Sequence, residues 1–484
     1  MADDVQLHHH VLDSGIRGIA AALRDGTTTA VGLAEEVLAR VEARNGGAPS
    51  FDGAPGAINA WVSLDPRTTL AQAAEADRRI AAGDPSPLLG VPVAVKDLIA
   101  VAGQPLTASS RVREGRVAAA DSAGWAALAA AGAVFVGKTH THEFGCGGTT
   151  DQVGNPWDPA RSPGGSSGGS AAALATGMVP LALGTDTAAS LRVPAAFCGV
   201  SSFKASFGRV PTDGLIPCGY TLDHLGPMAV TLADCAIALA TLSAAPRRRD
   251  PWGVAGRLPI VAETLPDLRG VRIALTDRPS AVGIPIDPDI LDGIATARAT
   301  LESLGAEVVE LAAPPDLARS DYHAILLAET QHAHAEYAGL ADRYRPSTLE
   351  FLAPGSARIP GDAYFSAQQR RLGVAAGWDD WFAANGVDAI LEPTTASGPG
   401  VRGHGYEAGA GIGGEDPLTC FTATWNGTGS PVAAVPTRLG ERSGLPVGVS
   451  LIGRVDHDAR LLGIGIALQT VLAPPRLAEA RGRA

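Results

Sequence analysis

The chain has little charge, few cysteines and almost no lysine, and each shortage excludes a class of protein. Charged residues form 18% of its 484 residues and hydrophobic residues 46%, a balance that excludes a mainly disordered chain. Five cysteines, none in a Cys-x-x-Cys pair, exclude a disulfide framework and indicate a reducing compartment, the cytoplasm. The net charge of −12 is opposite to the basic face that nucleic acid requires, so we expect no nucleic-acid partner.

Long apolar segments are also missing. The N-terminus has no basic stretch followed by an apolar run, so we expect no signal peptide. The uncharged segment 122–137 is too short to cross a bilayer, and the longer one at 162–185 begins with serines and glycines. We therefore interpret both as buried protein and expect no membrane partner.

Only three of the 38 basic residues are lysines, namely Lys96, Lys138 and Lys204. A codon or surface preference for arginine explains the bias, but it does not explain why these three positions remained lysine. A buried lysine can lose its proton, whereas an arginine effectively cannot. Each lysine is therefore a candidate base or proton relay, with a structural role as the alternative.

Hydrophobic patterns predict strands that alternate with helices, which indicates a layered α/β architecture. Short apolar runs predict buried strands at 88–95, 133–136, 179–183, 271–275, 307–311, 389–391 and 432–435. Amphipathic or alanine-rich segments predict helices at 28–44, 70–82, 123–131, 170–177 (with Ser170 as N-cap), 289–304, within 316–385, and at 459–470.

A Gly/Ser run at 162–170 (SPGGSSGGS) lies between a predicted loop and a predicted helix. Such a run can be a flexible linker, but a glycine-rich backbone can also adopt conformations closed to other residues. Further along, the segment 184–194 (GTDTAASLRVP) predicts a strand end, a polar turn and a helix that starts near Ser190. A serine there would face backbone N–H groups and a positive helix end, a setting that stabilises an oxyanion.

Four segments resemble the amidase signature family in order and spacing: 90–101 (GVPVAVKDLIAV), 137–144 (GKTHTHEF), 155–169 (NPWDPARSPGGSSGG) and 184–199. The resemblance resumes at 391–394 and 429–453, whereas 245–385 matches only in general layout. It implies a mixed central β-sheet covered by helices on both faces, an α/β/α sandwich.

The resemblance also implies a Ser–Ser–Lys triad, with Ser190 as nucleophile, Ser166 as a bridging serine on a cis peptide after Gly165, and Lys96 as the terminal base. A serine is a weak nucleophile and needs an adjacent proton acceptor. Desolvation at a buried strand end would lower the pKa of Lys96, so that the neutral amine could take a proton relayed through Ser166.

By the same resemblance, main-chain N–H groups of Thr187, Ala188, Ala189 and Ser190 hold the oxyanion, and Gly145 offers a main-chain contact to the substrate. The chain departs from the family at Ala188 and Ala189, where two glycines are usual. The two methyl groups narrow the approach to the acyl carbon.

Three further residues are expected to support the site. Ser167 lies next to the bridging serine, and Arg192 is expected to pair with Asp186 and brace the oxyanion loop. The alternative for this pair is an ordinary surface ion pair.

We expect one domain over the whole chain. Its parts are a helical N-terminal part (1–85), a catalytic core with the signature motifs (86–244), a more variable and largely helical part (245–387), and a C-terminal return to the core (388–484). A composition break at 245–252 marks the main internal boundary.

Other patterns leave alternatives open. Residues 132–139 match the phosphate-loop pattern G-x-x-x-x-G-K-[ST], but a strand is predicted where that motif needs a loop, so we interpret Lys138 as structural. His8 to His10, His332 with His334, and His140 with His142 lack metal-ligand spacing, and we expect no metal and no cofactor. Cys146 is an alternative nucleophile without a visible base.

The leading hypothesis is a cytoplasmic amide hydrolase that acts on a small-molecule carboxamide or related C–N bond through an acyl-enzyme, with a homodimer as a possible assembly. The alternatives are an amidase subunit that releases ammonia within a transamidation complex, an ATP-binding protein, and a catalytically silent scaffold. The intact set of Lys96, Ser166 and Ser190 argues against the scaffold. Pocket walls are expected from 145–152, 316–385 and the glycine-rich loop 394–416.

Overall fold

Eleven strands form one mixed sheet in the computed structural model, which describes residues 11–245, 259–352, 358–404, 416–473 and 475. In chain order the strands are β1 (Trp61–Leu64), β2 (Pro92–Lys96), β3 (Val134–Thr139), β4 (Leu181–Asp186), β5 (Ser201–Lys204), β6 (His224–Ala229), β7 (Arg272–Thr276), β8 (Glu307–Leu311), β9 (Ala389–Pro393), β10 (Val432–Leu439) and β11 (Pro446–Gly453). Their order across the sheet is β1-β3-β2-β4-β6-β5-β10-β11-β9-β7-β8.

Helices cover both faces of this sheet, as the sequence predicts. In chain order they are α1 (Gly15–Arg24), α2 (Ala30–Arg44), α3 (Pro66–Ala81), α4 (Ala123–Ala130), α5 (Gly168–Ala175), α6 (Arg192–Cys198), α7 (Leu232–Ser243), α8 (Arg278–Ala281), α9 (Pro288–Ser303), α10 (Arg319–Ala333), α11 (Pro346–Leu352), α12 (Gly361–Asn385), α13 (Ala423–Gly427) and α14 (Asp458–Leu472). Among the described residues, none of these helices has both the length and the apolar character needed to cross a membrane.

Three neighbouring parallel strands create the edge at which the candidate residues meet. β2 pairs with β3 on one side and with β4 on the other, and all three strands are buried along their whole length. Near-continuous apolar sequence is typical of a parallel strand that is covered on both faces. Because parallel strands end at the same edge of the sheet, Lys96 at the end of β2 lies beside the end of β4.

One predicted helix start is wrong. The helix predicted with Ser170 as its N-cap begins three residues earlier, at Gly168, with Ser167 in the N-cap position. The Ser170 hydroxyl instead donates to the carbonyl of Leu183 and lies 2.8 Å from the hydroxyl of Thr139. The Ser170 hydroxyl is therefore hydrogen-bonded to residues of two strands, β3 and β4, and cannot cap the helix.

Several sequence predictions fall on parts of the chain outside the described residues. These are the three consecutive histidines near the N-terminus, most of the composition break at 245–252, and residues 405–415 of the glycine-rich loop 394–416. The strands of the sheet come from all four predicted parts of the chain.

Candidate active site

Lys96 is fully buried and faces three hydroxyl groups. Its Nζ lies 2.7 Å from Oγ of Ser166, 2.8 Å from Oγ of Ser167 and 2.8 Å from Oγ1 of Thr185. Hydroxyls both donate and accept, so this shell can serve an ammonium, which donates three hydrogen bonds, or a neutral amine, which donates two and accepts one. The site therefore tolerates both protonation states of Lys96.

Burial lowers the pKa of Lys96 to about 7, although the nearby groups Asp186, Cys218 and Asp223 act in the opposite direction. Desolvation penalises the charged form of a lysine, and the described structure places no carboxylate within ion-pair distance of this Nζ. A substantial fraction of Lys96 is therefore neutral near pH 7, which is the state that can accept a proton.

Ser166 stands on the cis peptide bond that follows Gly165, as the family resemblance implies. A Cβ at Gly165 would meet the carbonyl oxygen of Thr149 at 1.9 Å, so only glycine fits there. Gly145 has a positive φ of 76°, and a Cβ at that position would lie 3.5 Å from Oγ of Ser166. The backbone at Gly145 therefore approaches the Ser166 hydroxyl closely.

Ser190 lies in the turn between β4 and α6, and only 6% of the residue is exposed. Its main-chain carbonyl accepts a hydrogen bond of 3.2 Å from the N–H of Ser167, which fixes the turn beside Ser166. Within the described residues, the Ser190 hydroxyl has no hydrogen-bond partner, and the N–H groups of Thr187, Ala188, Ala189 and Ser190 donate to no protein acceptor. These donors remain available for a ligand.

A buried ion pair braces this turn. Arg192 donates to both carboxylate oxygens of Asp186 at 2.9 Å, and both side chains are fully buried, which excludes the surface-pair alternative. Arg192 also donates to the carbonyls of Ala188 and Thr422 and to the side chain of Asn426. Burial alone would raise the pKa of Asp186. The charge and hydrogen bonds of Arg192 outweigh burial and hold the pKa of Asp186 well below its usual range. The predicted pairing is confirmed.

A second network holds the same turn from the other side. Thr187 Oγ1 donates to Asp223 at 2.5 Å, and the carbonyl of Thr187 accepts a hydrogen bond of 2.7 Å from the hydroxyl of Tyr322 on α10. Asp223 also accepts from the N–H groups of Cys218 and Gly219. Burial raises the pKa of Asp223 to about 6 against these hydrogen bonds. The turn is therefore held by Asp223, by Tyr322 on α10 and, through Arg192, by Asn426 on α13.

Sequence reasoning missed several of these residues, among them Thr185, Asp223, Tyr322 and Asn426. Thr185 lies in the motif segment 184–199, directly before Asp186. Its place at the end of a predicted buried strand could have identified it as a residue of the site. Asp223 and Tyr322 lie outside the quoted motifs, and a contact that spans 135 residues, such as that between Tyr322 and Thr187, leaves no local pattern in the sequence.

Among the described residues, the structure argues against the phosphate-loop and Cys146 alternatives. The four residues between the two glycines of segment 132–139 lead into and form β3 instead of a loop, and Lys138 is buried against Asp97 and the carbonyl of Ile99. The Cys146 thiol lies 3.9 Å from Nε2 of His334, but its hydrogen bond with Cys218 and its burial raise its pKa, which opposes a thiolate. Among the described residues, no three or more His, Cys, Asp or Glu side chains are grouped to hold a metal ion.

Fold and site together define an amidase signature enzyme, a class that acts on C–N bonds. The Amidase family model matches residues 52–462, and the chain therefore belongs to this family, as its motifs predict.

The chain is similar to known proteins over nearly its whole length. It is 34% identical to a glutamyl-tRNA(Gln) amidotransferase subunit of Ralstonia nicotianae, over 94% of this chain and 97% of that protein. A bacterial aryl acylamidase of the amidase signature family superimposes with a TM-score of 0.84 at 27% identity, covering 98% of this chain and 99% of the other. A structure described as a vestigial protein complex, related to the origins of an s-triazine catabolic enzyme, gives a TM-score of 0.82 at 31% identity over 95% and 98%.

Proposed function

We propose that this chain is an amide hydrolase that cleaves a small-molecule carboxamide through an acyl-enzyme on Ser190. The observation that carries the proposal is the distance of 2.7 Å between Nζ of a fully buried Lys96 and Oγ of Ser166. A serine nucleophile needs an adjacent proton acceptor, and a lysine with a lowered pKa can be that acceptor near neutral pH.

In the proposed reaction, the Ser190 hydroxyl attacks the amide carbonyl and its proton passes through Ser166 to neutral Lys96. The carbonyl oxygen becomes an oxyanion, which the N–H groups from Thr187 to Ser190 stabilise. The proton then returns through Ser166 to the leaving amine as the C–N bond breaks. Water, activated by the same relay, attacks the Ser190 ester, releases the acid and restores the hydroxyl.

The surroundings of the turn favour an uncharged acyl group. Ala188 packs against a buried cluster that contains Phe144, Cys218, Tyr322 and Leu326. Burying even a neutral polar group without a hydrogen bond costs about 2–7 kcal/mol, and an unpaired ammonium or carboxylate costs more. A small apolar amide therefore fits this side of the site better than a free amino acid does.

A fluorophosphonate probe with mapping of the labelled peptide tests the nucleophile. We expect labelling at Ser190 and turnover of at least one member of a panel of aryl, aliphatic and urea-like amides. Ser190→Ala should lose the label and lower kcat by about a thousandfold or more. Ser170→Ala is the matched control, because Ser170 is also buried but contacts Leu183 and Thr139 instead of Lys96. A Ser190→Ala protein with near-native turnover would refute the proposal.

A second candidate is an amidotransferase subunit that releases ammonia from glutamine. The observation in its favour is the name of the curated relatives, of which this chain covers 97% at 34–35% identity. Glutamine-dependent ammonia release, together with a partner chain that co-purifies with the protein, would support this candidate. Amide hydrolysis by the isolated chain, without stimulation by glutamine, would support the hydrolase.

A further inference from the structure

The turn that carries Ser190 presents two alanine methyl groups to two different clusters. The Ala188 methyl packs against the first cluster, which holds Leu98, Phe144, Cys146, Cys218, Leu222, Tyr322, Ile325 and Leu326 among others. The Ala189 methyl belongs to a second cluster, made of Val193, Ala196, Phe197 and Leu418. The two methyl groups therefore have separate surroundings although the residues are adjacent in the chain.

The two methyl groups also differ in exposure. Ala189 is 1% exposed and is closed off by its own cluster, whereas Ala188 is only partly buried and differs in this from Thr187, Ala189 and Ser190. Neither alanine has a positive φ, so the backbone of the turn accepts a side chain at both positions without strain. Of the two alanines, Ala188 is therefore the one that keeps some exposed surface.

The first cluster also borders the other side of the reacting groups. A Cβ at Gly145 would lie 3.1 Å from Leu98, 3.5 Å from the Ser166 hydroxyl and 3.6 Å from Cys218. Leu98 and Cys218 belong to the same cluster as the neighbours of Ala188. Gly145, which lies beside the Ser166 hydroxyl, and Ala188 in the turn therefore border the same apolar cluster.

We propose that Ala188 is a specificity-determining residue whose methyl group restricts the enzyme to apolar acyl groups that are narrow at the carbon next to the carbonyl. This inference rests on the proposed amide hydrolysis. An acyl group bound to Ser190 has its carbonyl at the N–H groups of the turn, so its α-carbon lies nearest to the Ala188 methyl. Ala189 shapes the turn but does not contact the acyl group.

The test compares Ala188→Gly with Ala189→Gly, which remove the same methyl group from adjacent positions. Substrates are the p-nitroanilides of butyric and isobutyric acid, which differ only in branching at the α-carbon. One methyl group in an apolar pocket changes discrimination by about 10- to 200-fold. We expect Ala188→Gly to raise the ratio of kcat/KM for the branched over the straight anilide by about tenfold, and Ala189→Gly to leave that ratio within about twofold.

Both glycine variants loosen the turn and lower kcat for both substrates, so the ratio isolates the steric effect. Ala188→Val enlarges the side chain and should lower the ratio below that of the unmodified protein. This variant still tests the inference if a glycine variant does not fold. Equal ratios in all variants, or equal changes at both positions, would overturn the inference. Failure of the fluorophosphonate to label Ser190 would instead refute the proposed function, and labelling without hydrolysis of either anilide would overturn the inference alone.

Discussion

The protein buries one lysine at the end of β2 and another near the end of the neighbouring strand β3, and their surroundings differ. Lys96 contacts the hydroxyls of Ser166, Ser167 and Thr185. Lys138 lies 3.5 Å from a carboxylate oxygen of Asp97 and donates to the carbonyl of Ile99. Both side chains are fully buried, so burial alone does not distinguish them.

The neighbours determine what each lysine can do. Burial lowers the pKa of Lys138 to about 8, and Asp97 opposes this by favouring the ammonium form. Burial lowers the pKa of Lys96 to about 7, and among the described residues the hydrogen-bond partners of its Nζ are all hydroxyls. A hydroxyl can exchange a proton with the amine, whereas the carboxylate and the carbonyl can only accept hydrogen bonds. Lys96 is therefore suited to proton transfer, whereas Lys138 is suited to stabilising the fold through its contacts with Asp97 and Ile99.

Replacement of Lys96 should have the largest effect on activity. Lys96→Met removes the proton acceptor but keeps a long apolar side chain, and we expect kcat to fall by about 10²- to 10⁴-fold. Steady-state kinetics on the best amide of the panel measures the loss, with circular dichroism as the check of folding. A variant that keeps more than a tenth of the native kcat would contradict the assignment.

Replacement of Lys138 should act on stability instead. Lys138→Met leaves the buried Asp97 carboxylate without its cation, and breaking such a pair costs about 3–5 kcal/mol of unfolding free energy. Urea unfolding measures this loss, and kcat of the folded fraction should stay near the native value. The double variant Lys138→Met/Asp97→Asn should recover part of the stability. A loss of kcat comparable to that of Lys96→Met would remove the distinction between the two lysines.

The predicted candidates for the site lie in short motifs. Lys96 and Asp186 end buried strands, and Ser166 and Ser190 stand in glycine- or alanine-rich turns next to helix starts. Local patterns of this kind are visible in a single sequence. The pairing of Asp186 with Arg192 was predictable for the same reason, since the two residues are only six positions apart in the chain.

The features that could not be predicted, such as the strand order and the contact of Tyr322, depend on contacts between distant parts of the chain. β5 pairs with β10, although more than 200 residues lie between them, and no periodicity predicts that order. The use of Ser167 instead of Ser170 as N-cap follows from partners of Ser170 on two strands. Tyr322 lies in a region without recognisable motifs, and only the packing of α10 brings it to Thr187.

The pH dependence of kcat/KM sharpens the comparison between the two lysines. Below its pKa of about 7, Lys96 is an ammonium and cannot accept a proton, so kcat/KM should fall about tenfold per pH unit in acid and level off above pH 7. Lys138 adds no such limb because it takes no part in the reaction. Rates from pH 5 to 9 measure the profile, and full activity at pH 5 would exclude neutral Lys96 as the base.

Two other buried groups titrate in the same range and require controls. Burial lowers the pKa of Lys204 to about 7, and burial raises that of Asp223 to about 6. Lys204 donates to the carbonyl of Ser430, and Asp223 accepts from Thr187, so neither contacts the Ser166 hydroxyl. The acid limb should therefore persist in Lys204→Met and in Asp223→Asn. Its disappearance in either variant would assign the limb to that residue.

Tyr322→Phe should have the smallest effect. It removes the hydrogen bond to the Thr187 carbonyl while the ring stays in the cluster beside Ala188, and a neutral hydrogen bond contributes about 0.5–1.5 kcal/mol. If that bond positions the N–H groups of the turn, kcat should fall about 2- to 12-fold with KM nearly unchanged, and the acid limb should stay at the same pH because Lys96 is untouched. A purely structural role would instead lower the melting temperature without changing kcat. A shift of the acid limb to another pH would show that Tyr322 acts on the proton relay of Lys96 and would contradict its assignment to the N–H groups of the turn.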